Sequence, residues 1–180
     1  MRTRRAVTQV VTWQSAVADA LVDGGVTVGA YVPDSRLQGV LARLADQGVA
    51  LRCLTREEEC VGYAAGRRMA GGRPVVLMQC SGLGNSMNVL GSLVVSYQIG
   101  IPLVISMRGT LGEGNPSQVP MGRATTQLLG SIGIQAFSVR DPEGTDARHV
   151  TRGVVTLAYE SQHTAAVVLE PELGGGSEGT

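Results

Sequence analysis

The chain has 180 residues, 43% hydrophobic and 17% charged, which suits one well-buried globular domain and is too short for two ordinary ones. Its formal net charge is zero and aromatic residues make up 3%, which argues against nucleic acid or an anionic membrane surface as a partner. All 15 basic residues are arginines. With no lysine, these residues offer neither a Schiff base nor a Walker-type lysine for a nucleotide phosphate.

Three cysteines, Cys53, Cys60 and Cys80, lack the CxxC spacing of metal sites and are odd in number. This pattern indicates reduced thiols in a cytoplasmic protein rather than a disulfide framework. The basic N-terminus is followed by a segment interrupted by polar residues, so we expect no secretion signal. No apolar run approaches the roughly 20 residues needed to span a bilayer.

Short apolar runs alternate with segments of helical spacing along the chain. The runs predicted as buried strands are 26–32, 49–54, 74–79, 101–106, 134–139 and 164–169. The predicted helices are 13–23, 35–47, 56–70, 85–97, 122–132 and 145–160. This alternation is typical of a mostly parallel sheet covered on both faces. We therefore predict a single three-layer α/β/α domain of about six strands, with its functional edge at the carboxyl ends of the strands.

The predicted domain occupies residues 12–172, after an N-terminal extension at 1–11 and before a flexible Gly-rich tail at 173–180. Segment 107–121 (MRGTLGEGNPSQVPM) follows a strand and contains three glycines and two prolines without an apolar period. We expect it to be a loop at the functional site.

The acidic run after the second strand has two interpretations. Thr55 followed by Glu58 matches a capping box, and Glu57 and Glu59 favour the positive end of the helix dipole, so all three glutamates can be helix-start residues. Alternatively, Glu57 points off the sheet edge toward a ligand.

The loops after the first and third strands are equally ambiguous. Ser81–Asn85 can form an anion-binding turn of backbone amides, or a tight turn in which Asn85 or Ser86 caps the next helix. After the first strand, Asp34 or Ser35 suits an N-cap. Periodicity alone therefore predicts no more than a ligand-binding α/β domain.

Four segments, taken together, resemble the pyrimidine-binding (PYR) domain of thiamine-diphosphate (ThDP)-dependent 2-oxoacid decarboxylases. The similarity is greatest to the alpha subunit of sulfopyruvate decarboxylase and the corresponding part of phosphonopyruvate decarboxylase. Each segment ends a predicted strand or follows one, and together they span most of the chain. They are VPDSRL at 32–37, TREEECVGYAAGRRMAGGRP at 55–74, LMQCSGLGNSMNVLGSL at 77–93 and IPLVISMRGTLGEGNPSQVPMG at 101–122.

The resemblance implies a role for one glutamate, which in that family hydrogen-bonds the cofactor's pyrimidine ring and so activates the cofactor. Gly66 and Pro74 both set the register that places this glutamate at Glu57. The same register leaves Glu58 as the capping residue and Glu59 on the surface.

Further site residues follow from the same comparison. Those that would border the cofactor and the reacting carbonyl are Ser81, Gly82, Gly84 and Asn85. Asp34 and Ser35 match a loop on the substrate side, and which of them faces the site stays open. Arg108 is the candidate for binding an anionic substituent, against a plain surface arginine, and Gln118 is a weaker candidate from the same loop.

The chain lacks the Gly-Asp-Gly…Asn motif with which the family's second domain binds the diphosphate through Mg²⁺. The resemblance therefore implies a beta (PP-domain) partner subunit that carries this motif and the metal, in an α₂β₂ or larger assembly. The chain's histidines, His149 and His163, are expected far from the site edge, so the paired-histidine relay of some relatives is absent.

Three functions remain open at this stage. The first is the alpha subunit of a two-component decarboxylase that converts sulfopyruvate or phosphonopyruvate to the aldehyde. The second is a subunit of a split acetolactate-synthase-like carboligase, which joins the ThDP-bound fragment to another carbonyl. The third is a non-catalytic ligand-binding or regulatory PYR module.

Overall fold

Six parallel strands form one sheet in the computed structural model, which describes residues 12–142 and 144–173. Their spatial order is β2-β1-β3-β4-β6-β5. The strands are β1 (Val28–Tyr31), β2 (Ala50–Cys53), β3 (Pro74–Gln79), β4 (Pro102–Ser106), β5 (Gln135–Val139) and β6 (Ala165–Leu169). The N-terminal extension, and the Gly-rich tail apart from Leu173, lie outside the described residues. Leu173 itself is buried in the core.

Helices cover both faces of the sheet. The described α-helices are α1 (Trp13–Asp23), α2 (Gln38–Asp46), α3 (Glu57–Met69), α4 (Cys80–Val89), α5 (Val119–Ser131) and α6 (Thr145–Tyr159). Helices α1, α2 and α6 pack on one face, and α3, α4 and α5 on the other. The predicted three-layer α/β/α domain is confirmed. No helix in the described ranges is long and apolar enough to cross a membrane.

The core is divided in two by the sheet, because successive side chains of a strand point to opposite faces. In β3, Val75 and Leu77 pack among the residues of α1, α2 and α6, whereas Val76 and Met78 pack against α3, α4 and α5. Burial on both faces explains why the central strands are continuous apolar runs in the sequence.

The topology creates a crevice between the carboxyl ends of β1 and β3. After β1 the chain crosses to α2 on one face, whereas after β3 it crosses to α4 on the other face. The two connections diverge at this point, which is where ligands bind in open α/β sheets.

Several predicted boundaries differ from the structure. The helix predicted at 85–97 begins at Cys80, directly after β3, and continues beyond Val89 as a π-helical segment, Leu90–Val95. The turn predicted at Ser81–Asn85 is therefore wrong. Its glycines mark close packing in the first turns of α4 rather than a loop.

The expected loop 107–121 is shorter than predicted. A 3₁₀ turn at Pro116–Gln118 leads directly into α5 at Val119. Pro116 is the first residue of the 3₁₀ turn and Pro120 is the second residue of α5, positions where a missing N–H costs nothing. The irregular part is limited to the residues between β4 and the 3₁₀ turn.

At the base of this loop, the backbone that leaves β4 passes close to the backbone at the start of α5. A Cβ added at Gly122 would overlap the carbonyl of Arg108, and one added at Gly109 would overlap the carbonyl of Gln118. Gly109 also has a φ of +75°, in the left-handed region that favours glycine. The two glycines therefore fix where the loop leaves β4 and where it joins α5.

We expect Gly122→Ala to lower the free energy of unfolding by about 1–3 kcal/mol, because the new methyl group forces the crossing backbones apart. Gly130→Ala is the matched control, since it lies in the same helix with no atom within 4 Å of its Cβ position. That control should raise the stability by about 0.5–1 kcal/mol. Urea unfolding measures both, and equal effects from the two substitutions would contradict the crossing.

Candidate functional site

The three glutamates at the start of α3 have different contacts. Oε1 of Glu58 pairs with Nε of Arg56 at 2.6 Å. Oε2 of Glu59 accepts hydrogen bonds from the backbone N–H groups of Thr55 at 3.1 Å and Arg56 at 3.2 Å. The capping role predicted for Glu58 is therefore wrong, and Glu59 performs it. The helix begins one residue later than the capping-box spacing from Thr55 requires, which moves the third helical position to Glu59.

Glu57 differs from its neighbours because its carboxylate makes no hydrogen bond or ion pair with the described residues. The side chain is half-buried and lies against Gly82 in the first turn of α4. A Cβ added at Gly82 would overlap the Glu57 side chain and come within 2.5 Å of its Oε1. Gly82 therefore provides the space that Glu57 occupies, and the carboxylate keeps its hydrogen-bonding capacity for a ligand.

The other predicted residues of α4 surround this contact. Ser81 donates a hydrogen bond from Oγ to Oε1 of Gln79 at 2.8 Å. Gly84 and Asn85 are exposed, and a Cβ at Gly84 would lie 3.1 Å from Cε of Met121. The N-cap position has no side-chain cap, so the first backbone N–H groups of α4 have no side-chain partner. The start of α4 is thus a surface of small and polar groups beside Glu57.

After β1, the structure separates the roles of Asp34 and Ser35. Oδ1 of Asp34 accepts the backbone N–H of Arg36 at 3.1 Å, so Asp34 caps the 3₁₀ turn Ser35–Leu37. Its Oδ2 accepts a hydrogen bond from the hydroxyl of buried Ser106, at the end of β4. Ser35 is exposed. Asp34 therefore links the ends of β1 and β4 above β3, whereas Ser35 faces solvent.

Arg108 is held by an ion pair within its own loop. Its Nε and Nη2 donate to Oε2 and Oε1 of Glu113 at 2.8 and 2.9 Å, so both carboxylate oxygens are engaged. Glu113 also accepts the backbone N–H groups of Gly109 at 3.1 Å and Asn115 at 2.9 Å. The bonds from Arg108, and then those from the two backbone N–H groups, lower the pKa of Glu113 to about 2. The pair uses two of the five N–H groups of Arg108, so an anion would have to bind the remaining ones beside the negative charge of Glu113.

Three buried side-chain atoms at this edge have no hydrogen-bond partner among the described residues. They are Oε1 of Gln118, a predicted site residue, Oε2 of Glu58 and Nε of Arg36. Nη2 of Arg36 donates to the carbonyl of Glu170 at 2.9 Å. The sequence analysis did not single out Arg36, although it lies in the VPDSRL segment. The sequence feature that could have identified Arg36 is its position two residues after a helix-capping residue, Asp34, at the carboxyl end of a strand.

Cys80, at the start of α4, is a buried thiol held by the loop after β4. Cys80 is buried, and its Sγ accepts the backbone N–H of Arg108 at 3.3 Å. Burial raises the pKa of this thiol, so it stays protonated at neutral pH. All three cysteines are free thiols. Within residues 12–142 and 144–173, no group of three or more His, Cys, Asp or Glu side chains is placed to hold a metal ion.

Comparison with known proteins identifies the family of this chain. The family described as "Thiamine pyrophosphate enzyme, N-terminal TPP binding domain" matches residues 11–110. The chain belongs to this family. The matched segment of the TPP-binding domain contains every predicted site residue apart from Gln118. Thiamine pyrophosphate is the same molecule as ThDP.

The relatives of this chain differ in length. The sulfopyruvate decarboxylase subunit alpha of Methanothermobacter thermautotrophicus is 40% identical over 156 residues, which cover 86% of this chain and 93% of the relative. A phosphonopyruvate decarboxylase of Streptomyces viridochromogenes is 35% identical over 127 residues, which cover 69% of this chain but 32% of the relative. The alignment thus covers almost all of the first relative and about a third of the second.

A solved structure supports the fold alone. The 2-oxoglutarate:ferredoxin oxidoreductase of Magnetococcus marinus superposes with a TM-score of 0.72 at 21% identity. The match covers 90% of this TPP-binding domain and 29% of that chain.

The geometry at Glu57 fits the aminopyrimidine end of ThDP. An aminopyrimidine is flat, and one of its ring nitrogens can hydrogen-bond a carboxyl group when a proton lies between the two. Glu57 has an unengaged carboxylate, and Gly82 leaves the adjoining surface without a side chain. These residues can therefore hold the pyrimidine ring by its edge.

The Arg108–Glu113 pair predicts a pH dependence of stability. The folded-state pKa of Glu113, about 2, lies below its ordinary value of 4.5. The pair therefore stabilises the fold fully above about pH 4.5, and this contribution is lost as the pH falls toward 2. Urea unfolding between these pH values should show a steeper loss of stability for the native chain than for Glu113→Gln. Parallel profiles would show that the pair adds nothing to stability.

Proposed function

We propose that this chain is the alpha subunit of a two-component ThDP-dependent 2-oxoacid decarboxylase. The observation that carries the proposal is the unengaged carboxylate of Glu57 against Gly82, within a TPP-binding domain. The names of its relatives, sulfopyruvate decarboxylase subunit alpha and phosphonopyruvate decarboxylase, support a carboxy-lyase activity.

The chain's residues have distinct tasks in this proposal. Glu57 accepts and holds a proton at its carboxylate while it hydrogen-bonds the pyrimidine edge, and Gly82 keeps the space for that contact. The start of α4, with Ser81, Gly84 and Asn85, borders the cofactor and the reacting carbonyl. When bound, ThDP supplies the electron sink that accepts the electron pair released as carbon dioxide leaves.

A partner subunit completes the site. The word "subunit" in the relative's name and the 32% share of the longer phosphonopyruvate decarboxylase both support a second component. We propose that this beta subunit carries the Gly-Asp-Gly…Asn motif and binds the diphosphate through Mg²⁺, in an α₂β₂ or larger assembly. Its substrates are 2-oxoacids of three carbons with a terminal anion, sulfopyruvate or phosphonopyruvate.

We expect Glu57→Gln to lower decarboxylation by about 10²–10⁴-fold, because an amide cannot take up the proton. The measurement is ThDP- and Mg²⁺-dependent release of carbon dioxide from sulfopyruvate and phosphonopyruvate, with this chain and its partner co-expressed. Glu58→Gln is the control and should leave the rate unchanged, since Glu58 pairs with Arg56.

The outcomes separate the candidate functions. Full activity in Glu57→Gln would overturn the assignment of this glutamate. Formation of a ketol instead of the free aldehyde would favour the split carboligase. A complex that binds ThDP and turns over no 2-oxoacid would favour a non-catalytic module.

A second prediction concerns Gly82. We expect Gly82→Ala to leave the fold intact but to lower activity strongly, because the new methyl group displaces the flexible side chain of Glu57. Thermal unfolding and the carbon dioxide assay measure the two effects separately. Gly130→Ala is again the control, with open space at its Cβ position. Activity equal to that of the native chain would show that Glu57 does not depend on the gap at Gly82.

A further inference from the structure

Four arginines lie in the loops that follow the carboxyl ends of strands. Three of them pair with a carboxylate: Arg56 with Glu58, Arg108 with Glu113 and Arg140 with Glu170. The fourth, Arg36, makes no ion pair with the described residues. Among these four loop arginines it is the one without a carboxylate within ion-pair distance, although the charges of Asp34 and Glu172 are near enough to act on it.

Arg36 lies across the crevice rather than on the outer surface. Its backbone follows β1, but its Nη2 reaches the carbonyl of Glu170, directly after β6. Strands β3 and β4 separate β1 from β6 in the sheet, so the loop after β1 and the Arg36 side chain together cross the carboxyl ends of these central strands. Cys80 and Arg108, which follow β3 and β4, lie close enough to influence its charge.

The structure holds this arginine in place without pairing its guanidinium with an acid. Asp34 uses Oδ1 to bind the backbone N–H of Arg36 and Oδ2 to bind Ser106, so it positions the residue without pairing with its guanidinium. The side chain is half-buried, and its buried Nε has no partner among the described residues. Burial lowers the pKa of Arg36, and the positive charge of Arg108 acts in the same direction, whereas the negative charges of Asp34 and Glu172 oppose it. A half-buried unpaired cation is costly, and an incoming anion removes that cost.

We propose that Arg36 binds the terminal sulfonate or phosphonate of the substrate. The inference rests on the proposed function and names a specificity residue for the same site. A guanidinium presents several N–H groups in one plane, which suits the oxygens of a tetrahedral oxyanion. Arg108 is less suited, because two of its nitrogens already bind Glu113.

The terminal anion is a better ligand for Arg36 than the substrate carboxylate. The carboxylate leaves as neutral carbon dioxide, so a strong ion pair with it would stabilise the ground state more than the transition state. The terminal anion keeps its charge throughout the reaction. Its pairing with Arg36 therefore fixes the substrate without opposing decarboxylation, and a 2-oxoacid without that group would leave the arginine unpaired.

The test measures binding of sulfoacetate and phosphonoacetate to the ThDP- and Mg²⁺-loaded complex by calorimetry, with acetate as the ligand that lacks the head group. Arg36→Met should weaken the binding of sulfoacetate and of phosphonoacetate by about 10²-fold or more, since a half-buried charge pair is lost. Arg36→Lys, which keeps the charge but not the planar fork, should recover part of the affinity. Arg140→Gln is the matched control at the same edge and should bind as the native complex does.

The outcomes distinguish failure of this inference from failure of the proposed function, because binding requires no turnover. Sulfoacetate affinity in Arg36→Met equal to that of the native complex, with the fold intact by thermal unfolding, would overturn the role of Arg36. A loss in Arg108→Gln but not in Arg36→Met would overturn it in favour of Arg108. Loss of affinity in Arg36→Met in a complex that decarboxylates neither acid would support the anion site and reject the decarboxylase. Glu57→Gln should lose turnover and keep the affinity.

Discussion

The contact between Glu57 and Gly82 is the constraint on which the site depends. It brings the first turns of α3 and α4 together at the sheet edge, and it requires a residue without a side chain at position 82. The structural tasks of the helix start fall to the neighbouring acids, Glu58 in an ion pair and Glu59 at the cap. Glu57 is thereby released from any structural bond and keeps its carboxylate for a ligand.

The same division of roles recurs across the carboxyl edge. Asp34 and Glu113 are acids whose oxygens are engaged by the fold, one between β1 and β4 and the other in its loop. These bonds position Arg36 and Arg108 respectively. Glu57 and Arg36 each make no ion pair with the described residues. A carboxylate and a guanidinium of this kind at one edge suit a ligand that needs both a proton acceptor and a counter-charge.

Sequence patterns predicted the strands and helices well and their local starts less well. The pair of glycines after β3 suggested a turn, but these glycines allow α4 to begin at once beside α3. The spacing from Thr55 favoured Glu58 as the cap, and the helix start shifted this task to Glu59. In both cases a local pattern permits two structures, and packing between distant segments selects one.

The sequence by itself determined the parallel α/β fold, because burial on both faces of a sheet demands continuous apolar strands separated by amphipathic helices. Four motifs in order also determined the family, and their register predicts Glu57 as the acid that binds the cofactor. Only the tertiary structure decided which charged groups are engaged and which are not. Asp34 meets Ser106, Arg36 meets Glu170, and Glu57 meets Gly82 across long sequence separations. Such contacts depend on the spatial order of the strands in the sheet, which no local sequence pattern specifies.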